Sequence, residues 1–495
     1  MREIDEHEPT SNAHFGSSLS ADDETTGPPR PGLRQRLLVS TLILVTALAS
    51  LIGTLGAPLI VAVTREYHVT PATAQWTISL PCLVGAACMP LVSWLASSRY
   101  RRRTTLVILA LMSMGSLIAA LPVSFGALLI GRSLHGLGLG LLPIAVAAAR
   151  EALSGQHRDR AIAAVSVANV LGAGVAFAVI GVLLDVGGTH LAYLAAGVTT
   201  ALILTLAAWV IPAHEAGSPA PRPVDIFGSI LLAAGGTALV FALARGEATG
   251  WLSPATALAA VASIALIGGW IRQSGRSAHP LIDLRRAHAP LPLSVFVTSF
   301  TGGAGMLMML TLVMVIAQSP TSTGWGVGMS GSTAGLAMLP YAVGTVVGSR
   351  LSAGIRRRLR PTMWLPLGCV VYSAAAAVLL VGHRNAVQLL VAMAVAGVAG
   401  GLSFAHIPGL LVLSVPIEET GAAVGFSMVI RLLGFSVGST LAGVLLSEVA
   451  KSGAAESGVE LALAVHLGWW LFAVLAALLA GRRGAVDDRG VSGGA

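Results

Sequence analysis

Apolar runs of about twenty residues, the length a helix needs to cross ~30 Å of hydrocarbon, recur along this chain from residue 37 to residue 480. Arginine clusters, Pro/Gly turns and short polar loops separate them. Fourteen runs can be delimited, at 37–63, 74–97, 104–121, 127–149, 161–184, 190–211, 226–244, 253–271, 292–317, 333–351, 362–381, 386–413, 421–447 and 460–480. With 55% hydrophobic and 11% charged residues over 495 positions, no soluble core could hide the apolar surface. The expected fold class is therefore an all-α polytopic membrane protein with fourteen transmembrane helices.

An even number of crossings puts both ends of the chain on one side. Loops on that side carry 24 of the 30 Lys and Arg residues, including Arg99, Arg101, Arg102 and Arg103, then Arg356, Arg357, Arg358 and Arg360. The opposite side holds Arg65, Arg245, Arg384 and Lys451. The positive-inside rule then predicts cytoplasmic termini in a bacterial inner membrane. Because the cations sit in short clusters between spans, the net charge of +8 reflects membrane orientation rather than nucleic-acid binding. Residues 1–36 are acidic and rich in Ser and Pro, lack the regions of a signal peptide, and are expected to form a disordered cytoplasmic tail. Cys82, Cys88 and Cys369 lie in apolar spans without metal-ligand spacing.

A weak internal repeat organises the spans. Adding 262 to positions in the fifth run carries Ala161 onto Ala423, Gly172 onto Gly434, and Gly181–Leu184 onto Gly443–Leu446. Near the same offset, Gly136 and Gly140 fall on Gly397 and Gly401. The offset equals six spans plus two. This predicts a six-helix bundle at 37–211, an inserted helix pair with its linkers at 212–291, a related six-helix bundle at 292–480, and a cytoplasmic tail at 481–495. Two pseudo-symmetric halves around a midplane site are the plan of alternating-access transporters.

The fourth run carries the first candidate site. A charge in hydrocarbon is costly, so Arg132 either lines a polar cavity, meets a partner, or snorkels to the interface. His135 and Gly136 share its helical face, and Gly136 with Gly140 forms a GxxxG pair suited to close helix approach. The other polar groups within spans are Asn169, His406 and Arg431. All 22 acidic residues fall in the tail, loops or helix ends, so no deep carboxylate is available to relay protons. His135 or His406 could carry a proton, since imidazole titrates near neutral pH; His406 beside Pro408 also reads as a hydrogen-bonded core residue. Cations without anions in a low dielectric favour anionic or neutral guests, so quaternary ammonium dyes are expected to be poor substrates. There is no P-loop, nucleophile–base pair, cofactor motif or metal-ligand spacing, so no enzyme, cofactor or metal is expected.

From about residue 40 to 480 the chain resembles the major facilitator superfamily, in its fourteen-span drug:proton antiporter branch. The likeness lies in Gln75-Trp76, Pro90, Leu129–Gly140, Asp225–Gly228, Pro280–Arg285, Val415–Ala423 and Arg431–Gly434, in that order and spacing. The family's signature between the second and third spans, Gly-x-Leu-Ala-Asp-Arg-x-Gly-Arg-Arg, is reduced here to Ser93–Arg102. Ser93 and Ser97 replace its first Gly and its Asp, while Arg101 and Arg102 remain. In the family that Asp helps latch the outward-facing state, so the resemblance implies a weakened latch; the remaining arginines also serve as orientation signals. The family's fifth-span antiporter signature keeps its outer glycines, Gly172 and Gly181, but lacks the central Gly-Pro. Gly434 and Gly438 are expected at a matching packing surface in the thirteenth span.

Three functions remain open at this stage. The first is a monomeric exporter of small amphipathic compounds, with the proton as coupling ion. The second is an uncoupled facilitator of neutral or anionic metabolites. The third is a transport-dead membrane sensor or scaffold.

Overall fold

The computed structural model describes residues 32–96, 100–153, 155–212, 225–277, 290–355, 358–360, 363–404, 407, 410–411, 420–452 and 455–491. These residues form helices joined by short turns, with no strand among them. The helices are α1 (Leu33–Thr54), α2 (Gly56–Glu66), α3 (Pro71–Ala74), α4 (Trp76–Ala96), α5 (Arg101–Ala120), α6 (Phe125–His135), α7 (Leu141–Ala152) and α8 (Gly155–Val210). They continue as α9 (Ile226–Thr249), α10 (Pro254–Ser274), α11 (Pro290–Gln318), α12 (Gly331–Leu336), α13 (Leu339–Ile355), α14 (Trp364–Val381), α15 (Ala386–Phe404), α16 (Thr420–Ser452) and α17 (Ala455–Val491).

Local sequence explains where helices start and break. Ser124, Asp225, Ser253 and Ser330 accept backbone N–H bonds in the first turns of α6, α9, α10 and α12. The α1–α2 break falls at Leu55, whose N–H bonds Ile52 O in the tighter i+3 pattern, three residues before Pro58. Pro58 has no N–H to continue the ladder from Thr54.

Twelve helices among the described residues are individually long and apolar enough to cross a membrane, so this criterion does not reproduce the expected count of fourteen. The difference has identifiable causes. The expected fifth and sixth spans lie within α8, whose 56 residues are interrupted by non-helical backbone at Gly187 and Gly188, with Gly188 at φ 67°. The expected tenth span is divided into α12 and α13 at Ala337 and Met338.

Contacts show that the two arms of α8 run in opposite directions. Gln35 at the start of α1 donates to Ala152 O, and Arg102 at the start of α5 donates to Ala208 O near the end of α8. These bonds mark the terminal face of the bundle. At the distal face, Glu66 meets Thr189 and His190, and His190 Nδ1 donates to Ala120 O at the end of α5.

The internal repeat reappears as equivalent packing. Gly172 lies on the Ala47 backbone of α1, and Gly434 on the Phe300 backbone of α11. Gly136 lies on Pro81 O of α4, and Gly397 on Tyr341 O of α13. Gly140 packs on Val92, Gly401 on Thr345 O and Gly438 on Ala304 O. The Gly136–Gly140 stretch is a 3-10 helix rather than the expected α-helix, since Gly-Leu-Gly-Leu-Gly has weak α propensity.

The inserted pair packs on itself through Ser263, which donates to Gly235 O at 2.9 Å. Its α9 then covers the seam between α4 and α16, with Gly236 against Leu433 and Leu83, and Trp76 against Phe241. Trp270 of α10 stacks on Phe426 of α16, at 5.7 Å between ring centroids. At the chain's end, α17 runs to Val491, so the expected tail from 481 begins as helix; no proline interrupts it. The expected N-terminal tail lies outside the described residues except for its last positions, where Leu33 already opens α1.

Candidate functional site

Arg132 is fully buried and acts within the first group of helices. Its Nε donates to Thr77 O at 2.8 Å, and Nη1 donates to Ile52 O at 2.9 Å and to His135 Nδ1 at 3.1 Å. Both carbonyls belong to interrupted helices. Thr77 O lies four residues before Pro81, which has no N–H to give it, and Ile52 O sits at the α1–α2 break. The guanidinium therefore supplies donors where the helices lack them and cross-braces α1, α4 and α6. Gly56 packs beside it, since a Cβ there would stand 3.1 Å from Nη2 and 2.6 Å from Ile78.

His135 completes this brace. A guanidinium only donates, so Nδ1 must accept, and Nε2 carries the hydrogen that it donates to Ser116 Oγ at 2.8 Å. The ring stacks on Tyr193 at 6.3 Å. A second proton on Nδ1 would face the Arg132 donors. Of the alternatives open for Arg132, the structure shows it meeting partners: it and His135 are buried, and their shared helical face joins them to each other and to backbone.

Arg431 has a different setting. It lies partly exposed on α16, with its guanidinium carbon 5.2 Å from the Phe404 ring centroid and 5.9 Å from that of Phe435. One Nη contacts Met428 Sδ, and the buried Nε has no hydrogen-bond partner among the described residues. The Tyr341 and Tyr372 phenols, 3.2 Å apart, lie within electrostatic range of it. Gly303 of α11 lets the Arg431 backbone and stem pack closely, because a Cβ there would stand 2.7 Å from Arg431 O and 3.2 Å from its Cγ.

The other expected residues do not join these two groups. Arg132 and Arg431 share no contacting residue among the described ones. Asn169 is half-buried on the arm of α8 that packs on α1. His406 and Ser97 lie outside the described residues, as does the side chain of Ser93. Arg101 opens α5, while Arg102 binds the carbonyl end of α8 at 2.7 Å, a favourable place for a cation.

Sequence reasoning missed the contacts between the helices before residue 212 and those after 290. Asp185, at the end of the first arm of α8, accepts from Gly331 N and Ser332 N of α12, both at 2.8 Å. Ser79 of α4 joins Ser436, Ser439 and Thr440 of α16, Ala72 N donates to Ser447 Oγ, and Gln318 donates to Pro58 O. Gly181 lies on Gly331, and Gly443 on Ala72 and Gln75, a reciprocal pair under the repeat. All these contacts fall in the distal half. The usable signal was the repeat, which equates Gly181 with Gly443.

A model of the family described as Major Facilitator Superfamily matches residues 42–439. The chain is 24% identical over 393 residues to the multidrug resistance protein Stp of Mycobacterium tuberculosis, covering 77% of this chain and 70% of that one. It is 26% identical over 456 residues to the tetracenomycin C resistance and export protein of Streptomyces glaucescens, covering 87% and 80% respectively. A solved peptide transporter POT in complex with sulfate superposes with TM-score 0.67 at 17% identity, over 90% of this chain and 95% of that one, a likeness of fold alone.

Proposed function

The chain belongs to the major facilitator superfamily, and from that premise we propose that it exports small amphipathic compounds across a bacterial inner membrane by rocking two six-helix halves, with proton entry as the driving step. Its relatives include transporters named for multidrug resistance and antibiotic export. It is a transporter, not an enzyme.

One observation supports the mechanism: hydrogen bonds through Ala72, Ser79, Gln318 and Asp185 join the two halves, 37–211 and 292–480, in their distal part. A pair of related bundles joined at one end is a chamber closed at that end. With both termini cytoplasmic, the chamber opens toward the cytoplasm, ready to load. Loading substrate and breaking the Asp185 and Ser79 contacts converts it to the outward-open form.

The brace geometry disfavours His135 as proton carrier.

Proteoliposomes with an imposed pH gradient test this reading against a compound panel. Flux that follows the gradient is the expected result. Flux indifferent to the gradient would mean facilitation, and no flux would mean a scaffold; either outcome refutes the proposal.

A further inference from the structure

We propose that Arg431, with the aromatic rings around it, is a subsite for planar aromatic anions such as aryl carboxylates. This rests on reading the space between the halves as the substrate path. Gly303 of α11, Phe404 of α15 and Phe435 of α16 meet at this point, with the Tyr341–Tyr372 pair of α13 and α14 within electrostatic range. The Arg431 side chain is partly exposed beside these residues.

The charge there is unmatched. Among the described residues, no acidic side chain stands within the contacts of Arg431, and its buried Nε has no acceptor. Cation–π contacts from Phe404 and Phe435 offset part of the cost of holding a desolvated guanidinium. Both rings lie near its guanidinium carbon, and a carboxylate pairs with a guanidinium in parallel hydrogen bonds along its edge. An arriving anion therefore gains a charge partner, while its ring finds apolar, aromatic walls. The Tyr341–Tyr372 hydroxyl pair adds a neutral polar rim, and Tyr372 is fixed by stacking on Trp470 at 4.0 Å and 5°. A cation meets repulsion without compensation.

Arg132 does not compete for this role. It is fully buried, with Nε and Nη1 held by Thr77, Ile52 and His135, whereas Arg431 is partly exposed.

The test uses the purified full chain and three isosteric probes: 2-naphthoate, 2-naphthylmethanol and 2-naphthylmethylammonium, with affinities read by calorimetry. The expected result is that naphthoate binds at least about tenfold tighter than the alcohol, the gain of one charge-assisted contact, and the ammonium binds weakest. Arg431→Gln erases the margin between naphthoate and alcohol while leaving the alcohol's affinity unchanged. Arg431→Lys, which keeps the charge but not the planar fork, retains part of it. Equal affinities for the three probes in the parent protein would overturn the proposal. So would an Arg431→Lys variant, shown to melt as the parent does, that keeps the whole margin, or an Arg431→Gln variant that weakens the alcohol as much as the acid. Because binding is measured without flux, failure of this subsite and failure of the export mechanism are separable.

Discussion

Replacing Arg132 with Met separates a structural brace from a transport site. The substitution keeps an unbranched apolar stem but removes three donated bonds. Thr77 O then has no donor, because Pro81 cannot supply one, and a buried orphan carbonyl costs about 1–3 kcal/mol. Ile52 O keeps a long bond of 3.3 Å from Leu55 N, so its loss is smaller, about 1 kcal/mol. His135 Nδ1 loses its donor, adding a similar amount, about 1 kcal/mol. Against these stands relief from desolvating a guanidinium that has no carboxylate partner, which returns about 1–2 kcal/mol. The net expectation is a destabilisation of about 1–4 kcal/mol by this accounting, with Arg132→Lys intermediate because an ammonium cannot span both carbonyls. The assay is thermal unfolding of the purified protein together with substrate affinity per folded molecule. A lowered melting temperature with unchanged affinity fits the brace. Unchanged melting with lost affinity would refute the reasoning and restore Arg132 to the substrate path.

Three further outcomes follow from the geometry. Asp185→Asn removes the charge on the cap of α12 and weakens distal closure by about 1 kcal/mol, about a fivefold population shift. Spin labels at the exposed Val182 and Leu336 should report more of the longer distance, and an unchanged distribution would count against the contact. Gly181→Val places side-chain atoms against the Gly331 carbonyl, so the same labels should show distal closure abolished and flux lost, while Gly268→Val, where a Cβ meets nothing, should leave both intact. His383 lies in the turn between α14 and α15, where burial and then the charge of Arg384 hold its imidazole below the usual range, against the opposing pull of Glu460. A folded-state value below the unfolded one contributes stability at high pH that is lost as pH falls through and below the ordinary histidine range. Melting temperature should therefore fall less between pH 7 and pH 5, about the window given by the unperturbed imidazole, in His383→Gln than in the parent; identical slopes would remove His383 from the account.

Much of the fold was legible because a bilayer imposes length and apolarity on every crossing, and because glycines at helix contacts repeat with the halves. Gly172 and Gly434, or Gly136 and Gly397, could be paired by arithmetic before any contact was known, and they meet equivalent backbones. The shared face of Arg132 and His135 was also readable, since three residues of helix bring Nη1 to Nδ1. Their destination was not. The partners of Arg132 are backbone carbonyls freed by Pro81 and by the break at Leu55, and a carbonyl leaves no mark in side-chain identity. The same holds for Asp185: its partners are N–H groups 146 and 147 positions away, which any residue at 331 or 332 would provide. The count of spans was obscured because Gly187 and Gly188 turn the chain within what is otherwise continuous helix. Arg431 was legible as a charge, but its aromatic enclosure draws on α13, α14 and α15 and required the packing of the second half.

Tethering the distal ends is the most direct test of the two-halves mechanism. In a background with Cys82, Cys88 and Cys369 replaced by Ala, Asp185→Cys and Ser332→Cys can be bridged by a short bifunctional thiol reagent, since their side chains or backbones already touch. Export should stop on bridging and return on reduction, because the distal seam must open once per cycle. Export at the full rate through a bridged molecule would contradict the account.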